Sequence, residues 1–270
     1  MNRRVRNASL TIGVTIVVAI VTSAVLGPLL FRADPLSIDL ANILAGPSRA
    51  HPFGCDSLGR DVLARIMFGA RLSLSISTVV VAISLVVGSL IGATAALSGG
   101  PIDNLIMRGV DIVLAFPGIL LAIALAAILG PGLIDLTIAL TAMGWTGYAR
   151  IVRGEVLTLR ERDYVLAAES LGASPPRLLI RHLLPGVVGP LAVQATFGIG
   201  GIVGAEAALS FLGLGAIPPT PSWGNMLDAG RAFLLVAPHL TTAPGLAIGF
   251  TILGFNLLGD GIAQKVGNRA

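Results

Sequence analysis

The sequence predicts an all-α polytopic membrane protein, and three observations support this fold class. Of its 270 residues, 54% are hydrophobic and only 12% are charged, against about 25% charged in an ordinary soluble domain. Long stretches without Asp, Glu, Lys or Arg recur along the chain, and a bilayer-spanning helix needs about 20 apolar residues. Glycine (34) and proline (16) are abundant, as in transmembrane helices. These properties exclude a soluble enzyme, a disordered chain and a free nucleic-acid-binding protein.

Six membrane spans are expected, and they account for most of the chain. They lie at about 9–31, 73–97, 109–130, 133–151, 187–211 and 238–260. The fourth is long enough only if it begins near Leu133 and leaves Asp135 at one interface. Residues 213–231 are interpreted as a loop, because glycines and prolines interrupt the uncharged stretch there.

The distribution of basic residues predicts that both termini lie in the cytoplasm (N-in/C-in). With this orientation, twelve of the 18 Lys and Arg residues fall in inner segments and six in outer ones, in agreement with the positive-inside rule. Arg3, Arg4 and Arg6 precede the first apolar run, which is also the pattern of a cleaved signal peptide. The run is longer than a usual signal-peptide core, and it is therefore interpreted as a retained anchor.

The chain divides into two regions. Residues 1–71 comprise the N-terminal anchor span, an extracytoplasmic loop and an amphipathic interfacial helix near residues 61–71. Residues 72–270 comprise the transmembrane core, which contains a cytoplasmic loop at residues 152–185. The apolar segments leave no room for a large soluble domain.

The residues needed for several kinds of chemistry are missing. The single lysine, Lys265, is followed by Val266, so a phosphate-binding loop of the G-x-x-x-x-G-K-[ST] type is impossible. One cysteine, Cys55, excludes a cysteine cluster, and the three histidines lie far apart. No cofactor or metal is therefore expected in this chain. If it transports a solute uphill, the energy must come from an ion gradient or from an ATPase in another chain.

The segment 160–185 is the most informative part of the chain, and it is interpreted as two short helices. Asp163 is expected to cap the first helix, and Gly172 is expected to end it in the left-handed conformation. Ser174 is expected to cap the second, which has two prolines in its first turn. Pro185 is expected to end the second helix or to bend it into the next span.

The first of these helices, at about 164–171, is a candidate docking element. Such a short helix is only marginally stable alone in water, and docking in a groove of another protein would explain its presence. The small alanines would allow close approach, and the larger apolar side chains could fill the groove. The residues concerned are Tyr164, Val165, Ala167, Ala168 and Leu171. An ordinary connecting loop is the alternative.

This segment resembles the cytoplasmic loop signature of ABC importer permeases, in which E-A-A-x-x-x-G is followed, after a spacer, by I-x-L-P. The matching residues are Ala167, Ala168, Gly172, Leu184 and Pro185. Two positions depart from the signature: Leu166 stands where glutamate is usual, and His182 where isoleucine is usual. Leu166 provides no acid for a salt bridge to the ATPase at that position.

Further segments carry the same resemblance over most of residues 50–262. Residues 51–61, His-Pro-Phe-Gly-Cys-Asp-Ser-Leu-Gly-Arg-Asp, resemble the H-P-[FL]-G-T-D-x-x-G-R-D segment of the C-type permease subunit, with Cys55 in place of threonine. Other matching segments lie at residues 111–117, 205–215, 218–224 and 255–261. By the order and spacing of these motifs, the chain is identified as a member of the dipeptide, oligopeptide and nickel group of ABC importer permeases.

The resemblance implies a transport subunit and not an enzyme. It would form half of a translocation pathway with a second homologous permease, and it would work with two cytoplasmic ATPases and an extracytoplasmic solute-binding protein. The ATPases would bind ATP and magnesium, the complex would lie in a bacterial-type cell membrane, and no nucleic-acid partner is expected. The residues assigned to ATPase coupling by the resemblance are Tyr164, Val165, Ala167, Ala168, Leu171, Gly172, Leu184 and Pro185.

Other candidate residues belong to the pathway and the outer loop. Glu206 is the deepest ionisable group, and an intramembrane acid is costly unless it is paired or hydrated; it is a pathway candidate or a structural partner. Trp223 is a candidate gate residue or an interfacial anchor. Asp56, Arg60 and Asp61 could dock the binding protein or fix the loop to its own neighbours, and the second interpretation is favoured.

Two G-x-x-x-G pairs indicate close helix packing. They are Gly88 with Gly92 and Gly200 with Gly204. Both are interpreted as structural, and they could lie at the interface with the partner permease.

The predicted function is the transmembrane permease subunit of an ATP-driven importer for dipeptides or oligopeptides. An importer for nickel or another small solute is the first alternative, because the binding protein usually selects the cargo. A gradient-driven secondary carrier is the second alternative, and a membrane scaffold without transport is the third.

Overall fold

The computed structural model describes residues 3–30 and 34–267. Over these residues the chain is helical, apart from loops and an isolated β-bridge between Cys55 and Asp61. The helices are α1 (Arg3–Leu30), α2 (Val62–Ser98), α3 (Gly100–Leu114), α4 (Gly118–Leu129), α5 (Leu133–Arg160), α6 (Asp163–Ser170), α7 (Pro175–Leu178), α8 (Leu184–Phe211), α9 (Trp223–Arg231) and α10 (His239–Gly267). A 3₁₀ turn at Leu40–Asn42 precedes α2, and a π-helical turn at Leu179–Leu183 joins α7 to α8.

Not every predicted span has a matching straight apolar helix in the described residues. The segments that are long and apolar enough to cross a membrane are Ser9–Gly27, Val62–Ser98, Pro175–Phe211 and His239–Val266. The α3–α4 pair makes a fifth if its two helices are counted as one bent span. α5 has 28 residues but carries acidic or basic side chains near both ends. The sixth span and the cytoplasmic location of both termini therefore stay predictions.

The third predicted span, at 109–130, is wrong as a single helix. α3 ends at Leu114 and α4 begins at Gly118, and their axes differ in direction by 82°. Pro117 accounts for the break, because proline lacks the backbone N–H and its ring clashes with the preceding turn of a helix. α3 itself begins at Gly100, before the predicted start of the span at residue 109.

The loop predicted at 213–231 is wrong in its second half, where α9 forms. The Ser222 hydroxyl accepts a hydrogen bond from the backbone N–H of Asn225 at 3.2 Å and so caps this helix. α9 packs so closely on α8 that a Cβ at Gly224 would overlap the backbone oxygen of Ala207. This packing stabilises a helix that the local glycine content disfavours.

α2 is a single helix of 37 residues. Its N-cap is Asp61, whose carboxylate accepts a hydrogen bond from the N–H of Ala64 at 2.8 Å. The helix passes without interruption through residues 71 and 72, the predicted boundary between the interfacial helix and the transmembrane core. The interfacial segment and the second span are therefore one element.

The first glycine pair lies where α2 packs on α5. A Cβ at Gly88 would lie 2.6 Å from the Cβ of Tyr148 and 3.0 Å from the backbone N of Ala149. A Cβ at Gly92 would lie 3.0 Å from the Cα of Ala149. This pair therefore brings two helices of one chain together, and its predicted place at a partner-permease interface is wrong.

The second glycine pair lies between α8 and α10. An added Cβ would lie 3.4 Å from the Cβ of Phe255 at Gly200, and 3.3 Å from the Cδ1 of Ile252 at Gly204. Both glycines therefore also pack within the chain, in agreement with the structural interpretation. Gly204 is only half-buried, and a place at the partner-permease interface stays a prediction for this pair.

Gly92→Leu should destabilise the folded chain by about 1–3 kcal/mol, because the added side chain must overlap the backbone of α5. The measurement is the Tm of the detergent-purified protein. Gly154→Leu on α5 is the matched control, since an added Cβ there meets no atom within 4 Å. Equal Tm values for the two variants would contradict the close α2–α5 packing.

Three buried clusters set the arrangement of the helices. One joins α2, α5, α6 and α8 around Val152 and Val165. A second joins α1, α2, α9 and α10 around Trp223, and a third joins α2, α4, α5 and α8 around Leu136 and Leu209. α2 contributes its C-terminal half to the first cluster and its N-terminal end to the second. Consequently α6 lies at one end of the bundle and α9 at the other.

Candidate functional site

α6 is held against the end of the bundle by a buried side chain. Val165 has no exposed surface and lies in a cluster that includes Val156 of α5, Leu178 of α7 and Leu183. Ala168 is partly buried against the same cluster. The prediction that Val165 fills a groove in another protein is therefore wrong, because this chain already covers its surface.

The other face of α6 and the residues beside it are exposed and apolar. Tyr164 is 50% exposed, and Leu171, directly after the helix, is 88% exposed. Leu166, Ala167 and Leu184 are exposed as well. Large apolar side chains that a chain leaves exposed are candidates for contact with a partner, so α6 keeps the character expected of a docking element.

The start of α6 differs from the sequence prediction. Arg162, in an extended conformation, is the N-cap, and Asp163 is the first helical residue. The predicted capping role of Asp163 is therefore wrong. Its negative charge lies in the first turn instead, where the helix dipole favours an acid.

The end of α6 agrees with the sequence prediction. Gly172 has a φ of +80°, which is the left-handed conformation predicted for it. Its N–H donates to the carbonyl of Glu169 at 2.9 Å, and the N–H of Ala173 donates to the carbonyl of Ala168 at 3.1 Å. These bonds form a Schellman motif. A residue with a Cβ would be strained at position 172.

The second short helix, α7, continues into α8. Ser174 precedes α7 in an extended conformation, as predicted, but its hydroxyl makes no capping hydrogen bond. Through the π-helical turn, α7 leads directly to Leu184 and Pro185, the first residues of α8. α7, the π-helical turn and α8 thus form one helical segment, Pro175–Phe211, so the prediction that Pro185 ends the second helix is wrong. The alternative, that Pro185 bends this helix into the next span, stays a prediction.

Short connections and polar contacts join α6 to the two long helices on either side. Two residues separate it from α5 and four separate it from α7. Arg160 of α5 pairs with Glu169 of α6 at 3.5 Å, and the Tyr164 hydroxyl donates to the carbonyl of His182 at 3.5 Å. A displacement of α6 would therefore be transmitted to both α5 and α8.

Two ion pairs between α3 and α5 were not predicted from the sequence. Arg153 binds Asp103 with two hydrogen bonds, of 2.6 and 2.7 Å. Arg150 binds Asp111 at 2.5 Å. The partners are 39 and 50 positions apart in the sequence, and no local signal indicates which acid meets which arginine. The pairs tie α3 to the half of α5 that leads to α6.

Glu206 is completely buried between α2 and α8. Its carboxyl group accepts hydrogen bonds from the hydroxyls of Ser73 at 2.6 Å and Ser210 at 2.8 Å. Both carboxyl oxygens thus have partners within the chain, as expected of a residue with a structural role. A pathway role for Glu206 stays a prediction.

Trp223 is also buried, with 1% of its surface exposed. Its indole N–H donates to the carbonyl of Ile66 at 3.0 Å, and its ring lies against Gly69, where a Cβ would be 2.9 Å from the ring. The interpretation as an interfacial anchor is therefore wrong, because the ring packs α9 onto α2. A gating role stays a prediction.

The three charged candidates of the outer loop have partners within the chain. Asp56 binds Arg60 at 2.7 Å and the buried Arg65 of α2 at 3.5 Å. Asp61 caps α2 and also pairs with His51 at 2.8 Å. These contacts fix the loop to α2, and docking of a binding protein by the same residues stays a prediction.

The described residues form no metal centre, since no group of three or more His, Cys, Asp or Glu side chains could hold an ion. The two carboxylates of the outer loop already have partners, Asp61 with His51 and Asp56 with Arg60 and Arg65.

Cys55 should be almost inert towards thiol reagents in the folded protein. The side chain is fully buried, and burial, together with the nearby carboxylates of Asp61 and Asp56, raises the pKa of the thiol. Because the thiolate is the reactive form, N-ethylmaleimide at pH 7.5 should react about tenfold more slowly, or slower still, than with a free cysteine. Mass spectrometry before and after denaturation measures this, and equal labelling in both states would contradict it.

Comparisons with known proteins agree with the architecture. A solved structure of the MetNI methionine ABC transporter, in inward-facing conformations, shares the fold with a TM-score of 0.60 at 20% identity. The match covers 73% of this chain and 94% of that one.

Sequence relatives cover more of the chain. The dipeptide transport system permease protein DppC of Alkalihalophilus pseudofirmus is 42% identical over 97% of this chain and 86% of its own length. The glutathione transport system permease protein GsiD of Shigella dysenteriae serotype 1 is 46% identical over 84% of this chain and 75% of its own. Residues 84–270 match the model of the binding-protein-dependent transport system inner membrane component family. The chain therefore belongs to this family, the ABC importer permeases, as the sequence resemblance predicted.

Proposed function

We propose that this chain is the permease subunit of an ATP-driven importer for dipeptides or oligopeptides. The cargo class is supported by the two groups of relatives, whose names give a dipeptide and glutathione as the transported solutes. Both are short peptides. The proposal places six spans in a bacterial-type cell membrane, with both termini in the cytoplasm.

The proposed mechanism rests on which side chains of α6 are buried and which are exposed. One face is anchored by Val165, whereas Leu171 is almost fully exposed and Tyr164 is half-exposed. This arrangement is suited to a helix that sits in a groove of another protein. We assign that groove to a cytoplasmic ATPase.

The proposed coupling is mechanical. α6 connects to α5 through two residues and to α8 through α7 and the π-helical turn, so an ATPase that moves α6 would bias the two membrane helices between two arrangements. ATP and magnesium belong to the ATPases in this scheme, since this chain has no phosphate-binding loop. A second permease and a solute-binding protein complete the complex.

The function is tested by reconstitution. The chain is co-expressed with the products of neighbouring permease, ATPase and binding-protein genes, and the purified complex is placed in proteoliposomes. We expect uptake of radiolabelled alanyl-alanine that requires both ATP and the binding protein. Nickel uptake in place of peptide uptake would support the alternative cargo. Uptake that persists without ATP and collapses with the proton gradient would overturn the proposal.

A further inference from the structure

α3 carries an apolar stripe that the described residues leave exposed. Its members are three and seven positions apart, so they lie on one face of the helix. They are Ile102, Leu105 and Ile112, which are 55%, 73% and 65% exposed. At Gly109, on the same face, an added Cβ would meet no atom within 4 Å. The side of α3 that packs on the chain is a different one, and it contains the buried residues Asp103 and Val110.

A polar stripe runs beside the apolar one. Asn104, Arg108 and Asp111 are exposed and follow one another at intervals of four and three residues, so they also share a face of α3. The helix therefore has one side towards the chain, one exposed apolar side and one exposed polar side. A helix with an apolar and a polar side next to each other is suited to a membrane–water interface, where it lies along the surface.

The ion pairs of α3 place it at one end of a predicted membrane span. Asp103 of α3 binds Arg153 of α5. Asp111 binds Arg150, which lies about one turn earlier on α5. Both arginines belong to the half of α5 that leads to α6, where the span predicted at 133–151 ends. Because arginine is costly inside the hydrocarbon region and is tolerated at its boundary, α3 lies at the level of the membrane surface.

The direction of α3 agrees with this level. α4 runs alongside α5: a Cβ at its first residue, Gly118, would lie 3.3 Å from the Cε of Met143, and Ala126 is buried in one cluster with Leu136. The axes of α3 and α4 differ in direction by 82°. α3 therefore runs across the direction of α4 and α5, as a helix in the plane of a membrane surface does.

The charges of α3 suit an anionic lipid surface. Its two acids, Asp103 and Asp111, would repel such a surface, but both are paired with arginines of α5. Arg108 makes no ion pair with any described residue, and it lies about one turn from both Leu105 and Ile112. An arginine in this place can reach a lipid phosphate with its guanidinium group while its stem covers apolar surface. The charge that α3 leaves unpaired is therefore positive.

We propose that α3 is a lipid-binding helix at the membrane surface. Ile102, Leu105 and Ile112 lie among the acyl chains, and Arg108 binds the phosphate of an anionic phospholipid. Lipid fits this stripe better than a protein partner does, because the polar stripe beside it needs water along the length of the helix. The ion pairs to α5 would then hold the α6 end of the bundle at the membrane surface. The inference uses the level of α5 in the membrane and is independent of the cargo.

The first test compares the surroundings of the two exposed stripes. Leu105→Cys and Asn104→Cys form a matched pair, because these neighbouring positions lie on different stripes and the single native cysteine is buried. Each cysteine is labelled with bimane in the complex reconstituted in proteoliposomes. Phosphatidylcholine brominated on its acyl chains should quench the label at position 105 about threefold more strongly than the label at position 104, and aqueous iodide should do the reverse. Equal quenching at both positions would overturn the proposal, and so would shielding of position 105 from both quenchers by a partner subunit.

The second test measures the headgroup preference at the same place. With the label at position 105, brominated phosphatidylglycerol should quench about twofold more strongly than brominated phosphatidylcholine, because a basic side chain attracts anionic lipid. Arg108→Gln should abolish this preference, whereas Arg108→Lys keeps the charge and should retain most of it. Both variants should keep the Tm of the parent, since Arg108 is exposed. Equal quenching by the two lipids with Arg108 present would overturn the phosphate contact. Neither test depends on whether the complex transports a peptide, so failure of the proposed function is a separate result.

Discussion

Leu171→Glu should uncouple the importer, with a fall of about 10- to 100-fold in ATPase binding. Leu171 is 88% exposed in this chain, so its replacement leaves the fold intact. Burying a leucine in a partner groove contributes about 1.5–3 kcal/mol, and each 1.4 kcal/mol lost weakens binding about tenfold. A buried, unpaired glutamate adds a further penalty. The measurement is co-purification of the ATPase and ATP-driven uptake in proteoliposomes.

Two further variants help to interpret the result for Leu171→Glu. Leu171→Met keeps an apolar side chain of similar size and should retain most of the coupling. Ala168→Arg is a less decisive change, because Ala168 packs partly within this chain and its replacement would also disturb α6 itself. Normal ATPase association and uptake by Leu171→Glu would show that the exposed face of α6 is not the docking surface.

Glu206→Ala should lower the stability of the folded chain by about 3 kcal/mol or more. The change removes the acceptor of two buried hydroxyls, each worth about 1–3 kcal/mol when left unsatisfied, and it leaves a cavity between α2 and α8. A lower Tm of the purified protein, with loss of assembled complex, is the expected result.

Glu206→Gln distinguishes the structural role from a pathway role. The carboxamide oxygen can still accept a hydrogen bond from Ser73 or Ser210, so much of the stability should be retained. Normal uptake by a stable, assembled Glu206→Gln complex would assign Glu206 to structure and remove it from the pathway. A stable complex that binds ATPase but does not transport would favour the pathway role.

Local signals in the sequence predicted α6 and its C-terminal end well. Glycine lacks a Cβ and therefore suits the left-handed turn at position 172, and such preferences depend on neighbouring residues alone. The sequence placed the N-cap of α6 at Asp163, whereas the structure places it at Arg162. The cap is defined by its extended backbone conformation, and the residue types at these two positions do not reveal which of them adopts it.

Contacts between distant residues could not be predicted in this way. Ser73 and Glu206 are 133 positions apart, and nothing in the sequence near either residue indicates the other. Val165 has the pattern of an exposed groove-filling residue, yet the packing of α5, α7 and α8 around it covers its surface completely.

The amino-acid sequence by itself determined that this is a helical membrane permease, because apolar run length, glycine and proline placement and the loop motifs are local properties that each segment carries wherever it packs. Only the tertiary structure decided which face of α6 remains free and that both glycine pairs pack within the chain. These features depend on which helices pack against one another. That packing results from many side-chain contacts between segments that are far apart in the chain.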